Sequence, residues 1–205
     1  MQKSSLQPKA IRRLPAIALL VIAAAIGVYA WTNSSLPTGG SGEARVGGPF
    51  QMVNHRGETV TEKTFSGKPL LLVFGFTFCP DICPTELQVT TEALAILGSK
   101  AADIQPLFVT VDPERDTPAI LKDYLANFSP NLVGLTGSPR QVRAMADVYR
   151  VYFEKRPNKQ TPEDYAMDHT SIIYLMDSTG KFRRHFSYTT DAQALARGIA
   201  AALER

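Results

Sequence analysis

Cysteine and histidine are scarce in this 205-residue chain: two of the first, three of the second, and one tryptophan. Two cysteines exclude a disulfide-rich scaffold and a four-cysteine zinc site. Net charge is scarce as well. The nominal +3 comes from 22 basic and 19 acidic residues, and Lys3, Lys9, Arg12 and Arg13 crowd the first thirteen positions with no acid among them. Taking those four from the 22 leaves 18 basic against 19 acidic residues, so the rest is near neutral and nothing points to nucleic acid. What is present is a 44% apolar fraction, enough for a core, which excludes wholesale disorder. The length suits one domain plus an appendage.

The appendage is N-terminal. Residues 14–31, LPAIALLVIAAAIGVYAW, carry no charge. A helix of that length spans roughly 27 Å, close to the hydrocarbon thickness of a bilayer. Tyr29 and Trp31 sit at its far end, where interfacial aromatics belong, and the four cations before it keep the N-terminus in the cytoplasm. Val28-Tyr29-Ala30 offers the competing reading, a signal-peptide cleavage site, but the apolar run is long for that purpose. No cysteine follows the run closely, against a lipid anchor. The pattern predicts a cytoplasmic basic tail (1–13), a single-pass anchor in an inner membrane (14–31), a Ser/Gly/Pro-rich flexible linker (32–48) and a periplasmic domain (49–205). That compartment favours thiol oxidation.

Within the domain, short extended segments around Asn54-His55-Arg56-Gly57 read as a hairpin. Leu70 to Phe76 is a continuous apolar run, the mark of a strand buried on both faces. A helix follows from Pro84 to Leu97, then a second buried strand from Ile104 to Val111. Thr117-Pro118 and Ser138-Pro139 each pair a capping residue with a first-turn proline, and Asp191 caps a last helix, 192–203. Between them lie a short strand near 132–135 and a pair of strands, 171–176 and 181–186. Strand–helix–strand–helix, then a hairpin and a closing helix, predicts an α/β sandwich of thioredoxin-like layout, three layers thick.

Cys79-Pro80-Asp81-Ile82-Cys83-Pro84 lies where the first buried strand ends and a helix begins. Such a helix start offers unpaired N–H groups and the positive end of the dipole, which favour thiolate over thiol. The pair is suited to close a disulfide or to hold a metal ion. Thioredoxin-type reductants separate their cysteines by two residues; here there are three, which makes a soft ion such as Cu(I) the better candidate. Of the three histidines, His55 reads as a solvated turn residue and His185 as exposed on a basic strand. His169, in Met167-Asp168-His169-Thr170-Ser171, precedes a strand whose entry segment lies beside the cysteine turn in the thioredoxin layout. Cys79, Cys83 and His169 together make a trigonal site for one copper ion, Cu(I) or Cu(II). Asp168 is a candidate partner for the imidazole and Met167 a soft auxiliary ligand or plain packing. Val111-Asp112-Pro113-Glu114-Arg115-Asp116-Thr117-Pro118 lies at the same sheet edge and reads first as a turn and helix cap, second as a docking surface.

These segments, GFTFCPDICP at 75–84, VDPERDTP at 111–118 and DHTS at 168–171, resemble the Sco/SenC family of copper-binding thioredoxin-fold proteins over residues 50 to 205. The resemblance implies a metallochaperone or thiol reductase for the CuA centre of cytochrome c oxidase, with a copper-receiving apo-protein, an oxidase subunit, as client, and a membrane anchor. A reductase would use Cys79 and Cys83 as a redox pair and need a thioredoxin-like reductant to recycle it. A peroxidase on this scaffold is the weakest alternative, since no proline precedes Thr77.

Overall fold

The computed structural model describes residues 21–26, 28–29, 46–158 and 165–204. The chain divides into two compact units, Met1–Glu43 and Ala44–Arg205. In the first, residues 21–26 and 28–29 are helical and exposed. No helix among the described residues is long and apolar enough to cross a membrane. The basic tail, most of the expected anchor and nearly all of the linker lie outside the described residues.

The second unit is built on a seven-stranded sheet. Its strands are β1 (Gln51–Asn54), β2 (Thr59–Thr61), β3 (Leu70–Gly75), β4 (Gln105–Thr110), β5 (Val133–Thr136), β8 (Ile172–Met176) and β9 (Phe182–Ser187), in the order β2-β1-β5-β4-β3-β8-β9. β3, β4 and β5 are parallel, and the outer strands pair antiparallel. The central run is apolar throughout because both faces are covered. Leu72 and Phe74 of β3 point to one side with Met145 and Tyr149 of helix α3 (Pro139–Tyr149). Leu71 and Val73 point to the other, with Leu87 and Leu94 of α1 (Ile82–Leu97), Leu121 of α2 (Pro118–Leu125) and Ile199 of α4 (Ala192–Leu203). The result is the expected three-layer sandwich.

Local chemistry places the helices. Thr117, Ser138 and Asp191 each accept a hydrogen bond from the backbone N–H three residues on, capping α2, α3 and α4. α1 begins at Ile82, two residues before the expected Pro84, so Cys83 lies inside its first turn. A feature absent from the sequence reading is a two-stranded ribbon, β6 (Phe153–Arg156) with β7 (Ala166–His169), pairing Phe153 with His169. Neither strand has an apolar run: FEKR and AMDH are each covered on one side at most.

Candidate metal centre

β3 and β4 run parallel, so the loops leaving them emerge at one sheet edge, the first carrying Cys79 and the second Asp112 to Thr117. Gly75 ends β3, and a Cβ there would stand 2.8 Å from Cys83 Sγ and 2.9 Å from Phe108. Only glycine lets the first turn of α1 seat its thiol against the strand end. The backbone N–H of Cys83 donates to Cys79 Sγ at 3.3 Å, the helix N-terminus acting on the thiol. The ribbon delivers the third group: His169 Nε2 lies 3.5 Å from Cys83 Sγ. The two sulfurs and one imidazole nitrogen all lie within 4.8 Å of one another.

The imidazole is oriented by its other nitrogen. His169 Nδ1 lies 3.1 Å from the carbonyl oxygen of Thr170, which only accepts, so Nδ1 carries the proton and the Nε2 lone pair faces the sulfurs. The Phe76 ring meets the imidazole edge-on at 5.8 Å. The expected role of Asp168 is corrected here. Successive side chains alternate across a strand, so Asp168 points to the opposite side of β7 from His169 and pairs with Arg156 at 2.6 Å. Met167 shares the inward side and packs against the core.

The two thiols are unlike. Cys79, half-buried, is pulled down to about 4, chiefly by its contact with the Cys83 thiol, against the effect of burial and with help from His169 and the helix-start backbone. Cys83, fully buried, is pushed far up by its contact with the Cys79 sulfur, by burial and by Glu86. The His169 imidazole is disfavoured as a cation by burial, but its contacts with Cys79 and the Thr170 carbonyl and the charges of Cys79 and Glu86 outweigh this and raise it. Glu86, one turn beyond Cys83, is pushed up to about 7 mainly by burial. Both cysteines are free thiols. Two soft thiolates and one oriented imidazole match the donor preference of Cu(I) and can also hold Cu(II).

The other sequence candidates fall elsewhere. His55 is not merely solvated. It is half-buried, and its Nδ1 accepts the N–H of Gly134 at 3.0 Å, tying the hairpin to β5, while burial lowers it toward the neutral form this bond needs. His185 is exposed and stacks on Phe182. The Asp112–Thr117 segment carries a clamp built on two buried acids, Asp112 and Asp116. Asp116, fully buried, accepts from the Thr77 N–H at 3.0 Å, from the Thr77 hydroxyl and from the Thr110 hydroxyl. Asp112 takes the Arg115 guanidinium and the Tyr165 hydroxyl. Gly75, Glu86 and the Thr77–Asp116 link were not singled out from sequence. An acid at the Cys83 side of a mainly apolar helix face is the signal for Glu86.

Comparison with known proteins agrees with this centre. The SCO1/SenC family model matches residues 38–204. An SCO2-like protein of Rickettsia felis is 41% identical over 142 residues, 69% of each chain. The copper-bound structure of Bradyrhizobium japonicum ScoI is 44% identical, covers 77% of this chain and 99% of its own, and superposes with a TM-score of 0.71. BsSco, described through a disulfide switch and as a member of the Sco family of cytochrome c oxidase assembly proteins, is 25% identical, with 78% and 94% covered and a TM-score of 0.60. A thioredoxin-like α/β domain with a Cys–Cys–His centre fit for copper therefore defines the class. The chain belongs to the SCO1/SenC family.

Proposed function

We propose that this protein is a membrane-anchored copper metallochaperone that holds one copper ion on Cys79, Cys83 and His169 and passes it to an extracytoplasmic apo-protein, the CuA-bearing subunit of cytochrome c oxidase. The observation that carries the reading is the convergence of the three donor atoms within 4.8 Å, with the His169 lone pair aimed at the sulfurs by the Thr170 carbonyl. Ligand exchange suits such a centre. Cys79 is half-exposed at the surface, where client thiolates can displace it one bond at a time, while Cys83 and His169 hold the ion from beneath. The charge-free run at 14–31 supports an anchor with residues 1–13 in the cytoplasm and the domain, from about residue 49, in the periplasm, on a linker at 32–48.

The asymmetry of the thiols favours a second reading, a reductase that keeps the client's copper-ligand cysteines reduced. The Cys79 thiolate attacks one sulfur of a client disulfide, giving a mixed disulfide and releasing a client thiolate. Cys83 then attacks Cys79 sulfur, its proton passing to the departing client sulfur, which leaves as a thiol, and a Cys79–Cys83 disulfide remains. A thioredoxin-like dithiol must reduce it for the next cycle.

His169→Ala in the full-length protein separates the two readings. It removes one ligand and leaves both thiols and the helix start in place. Cu(II) affinity is expected to fall by roughly 10²-fold or more, a loss of a few kcal/mol, with Cu(I) less affected because two thiolates alone hold it. Reduction of a model disulfide stays near the parent rate. Unchanged Cu(II) affinity in the variant would remove His169 from the ligand set and put the reductase reading first.

A further inference from the structure

Glu86 lies on the inward face of α1, three residues beyond Cys83 and so on the same side of the helix. It is 1% exposed, and neither carboxylate oxygen has a hydrogen-bond partner among the described residues. A carboxylate in such a place is costly unless a cation stands nearby. The groups that share its electrostatic environment are His169, Cys79 and Cys83, the three donors of the metal centre. Its oxygens are not among the converging donor atoms, so it lies outside the ligand set.

We propose that Glu86 is the counter-charge of the loaded centre and biases it toward Cu(II) over Cu(I). This rests on the copper reading above. Two thiolates and a neutral imidazole leave a Cu(II) centre uncharged and a Cu(I) centre at minus one. A further buried negative charge attracts the doubly charged ion more strongly than the singly charged one. The carboxylate thus acts on the ion through its field, in a medium too poorly solvated to screen it.

The test compares Cu(II) and Cu(I) affinities of the full-length protein by chelator competition, the latter under anaerobic conditions, together with the reduction potential of the bound ion. Glu86→Gln is expected to weaken Cu(II) relative to Cu(I) by about tenfold or more, which raises the one-electron potential by about 59 mV or more. Glu86→Leu leaves no unpaired polar atom and carries the same expectation if the amide disturbs folding. Thr90→Val is the control: Thr90 hides another unpartnered oxygen one turn further along the same face, without charge, and its removal leaves the ratio unchanged. A ratio within about twofold of the parent in both Glu86 variants overturns the proposal, as does an equal loss of both ions. If the parent retains copper, either result leaves the chaperone reading standing. A parent that binds neither ion overturns both.

Discussion

Two loops leave adjacent parallel strands at the same edge of the sheet, and they are opposites. In residues 111–117 two acids are spent on fixed partners: Asp112 on Arg115 and Tyr165, Asp116 on Thr77 and Thr110. Asp112 and Asp116 are both buried, 2% and 0% exposed. In residues 76–81 little is spent. Phe78 is 62% exposed, Asp81 makes no side-chain cap, and Cys79 keeps an open side. The first loop holds and the second is held, joined by the bonds from Thr77 to Asp116. A reactive thiol needs an accessible sulfur in a fixed place, and here fixity is supplied from the neighbouring strand end.

The comparison breaks most visibly if the wrong loop governs copper. Cys83→Ala removes a thiolate and leaves the clamp intact, so copper affinity is expected to collapse by more than roughly 10³-fold while stability falls by only about 1 kcal/mol for the small cavity. Competition titration and chemical denaturation on the same sample check both halves. Asp116→Ala does the reverse. It leaves the Thr77 N–H and two threonine hydroxyls without their acceptor, a loss of about 2–3 kcal/mol in unfolding free energy. Copper affinity falls less than in the cysteine variant, because all three donors remain. A destabilised Asp116→Ala that binds copper no better than Cys83→Ala would show the clamp to be part of the site.

Much of this was legible in the residues, and the failures have physical causes. The buried strands and the three capped helices follow from apolar runs and cap chemistry, the cysteine pair from a helix start, and His169 from the strand entry that a thioredoxin layout sets beside that turn. The ribbon β6–β7 did not announce itself, because its strands are short, charged and covered on one side only. The ribbon also separates Asp168 from His169: in a strand neighbours face apart, so adjacency in sequence is not adjacency in space here. His55 looked like a turn residue because its partner, Gly134, is remote in sequence. Gly75 gave no sign, since the atom that demands it, Cys83 Sγ, arrives from the next element.

Acid–base behaviour sharpens the contrast within the held loop. Between about pH 4 and 9 the unfolded chain binds a proton at Cys79 that the folded chain has given up, so this thiol adds stability as pH rises and loses it as pH falls through 4. Glu86 works the other way: between about 4.5 and 7 the folded chain keeps a proton that the unfolded chain has lost, so stability falls as pH rises. In the metal-free parent the two slopes oppose each other between about pH 4.5 and 7, and His169, which is also raised, opposes the Cys79 slope as pH rises further. The unfolding free energy across about pH 4.5 to 7 should rise with pH in Glu86→Gln and fall in Cys79→Ser. Iodoacetamide should alkylate Cys79 at pH 6 nearly as fast as at pH 8, where a thiol with an ordinary pKa would lose about a hundredfold in rate.

The smallest effect is expected at the residue beside the ligand. Asp168 is exposed and engaged with Arg156, itself more than half exposed, and surface pairs of this kind contribute little to stability. The imidazole takes its orientation from the Thr170 carbonyl, a backbone group that no side-chain substitution removes. Asp168→Ala should therefore leave copper affinity within about threefold of the parent and shift the unfolding midpoint little. A carboxylate that oriented the imidazole would instead cost 10- to 100-fold in affinity on removal, the usual range for such partners. A loss of that size in Asp168→Ala, with an unchanged melting curve, would mean that the ribbon turns Asp168 toward His169 when copper binds, and that the sequence reading of this residue was the better one.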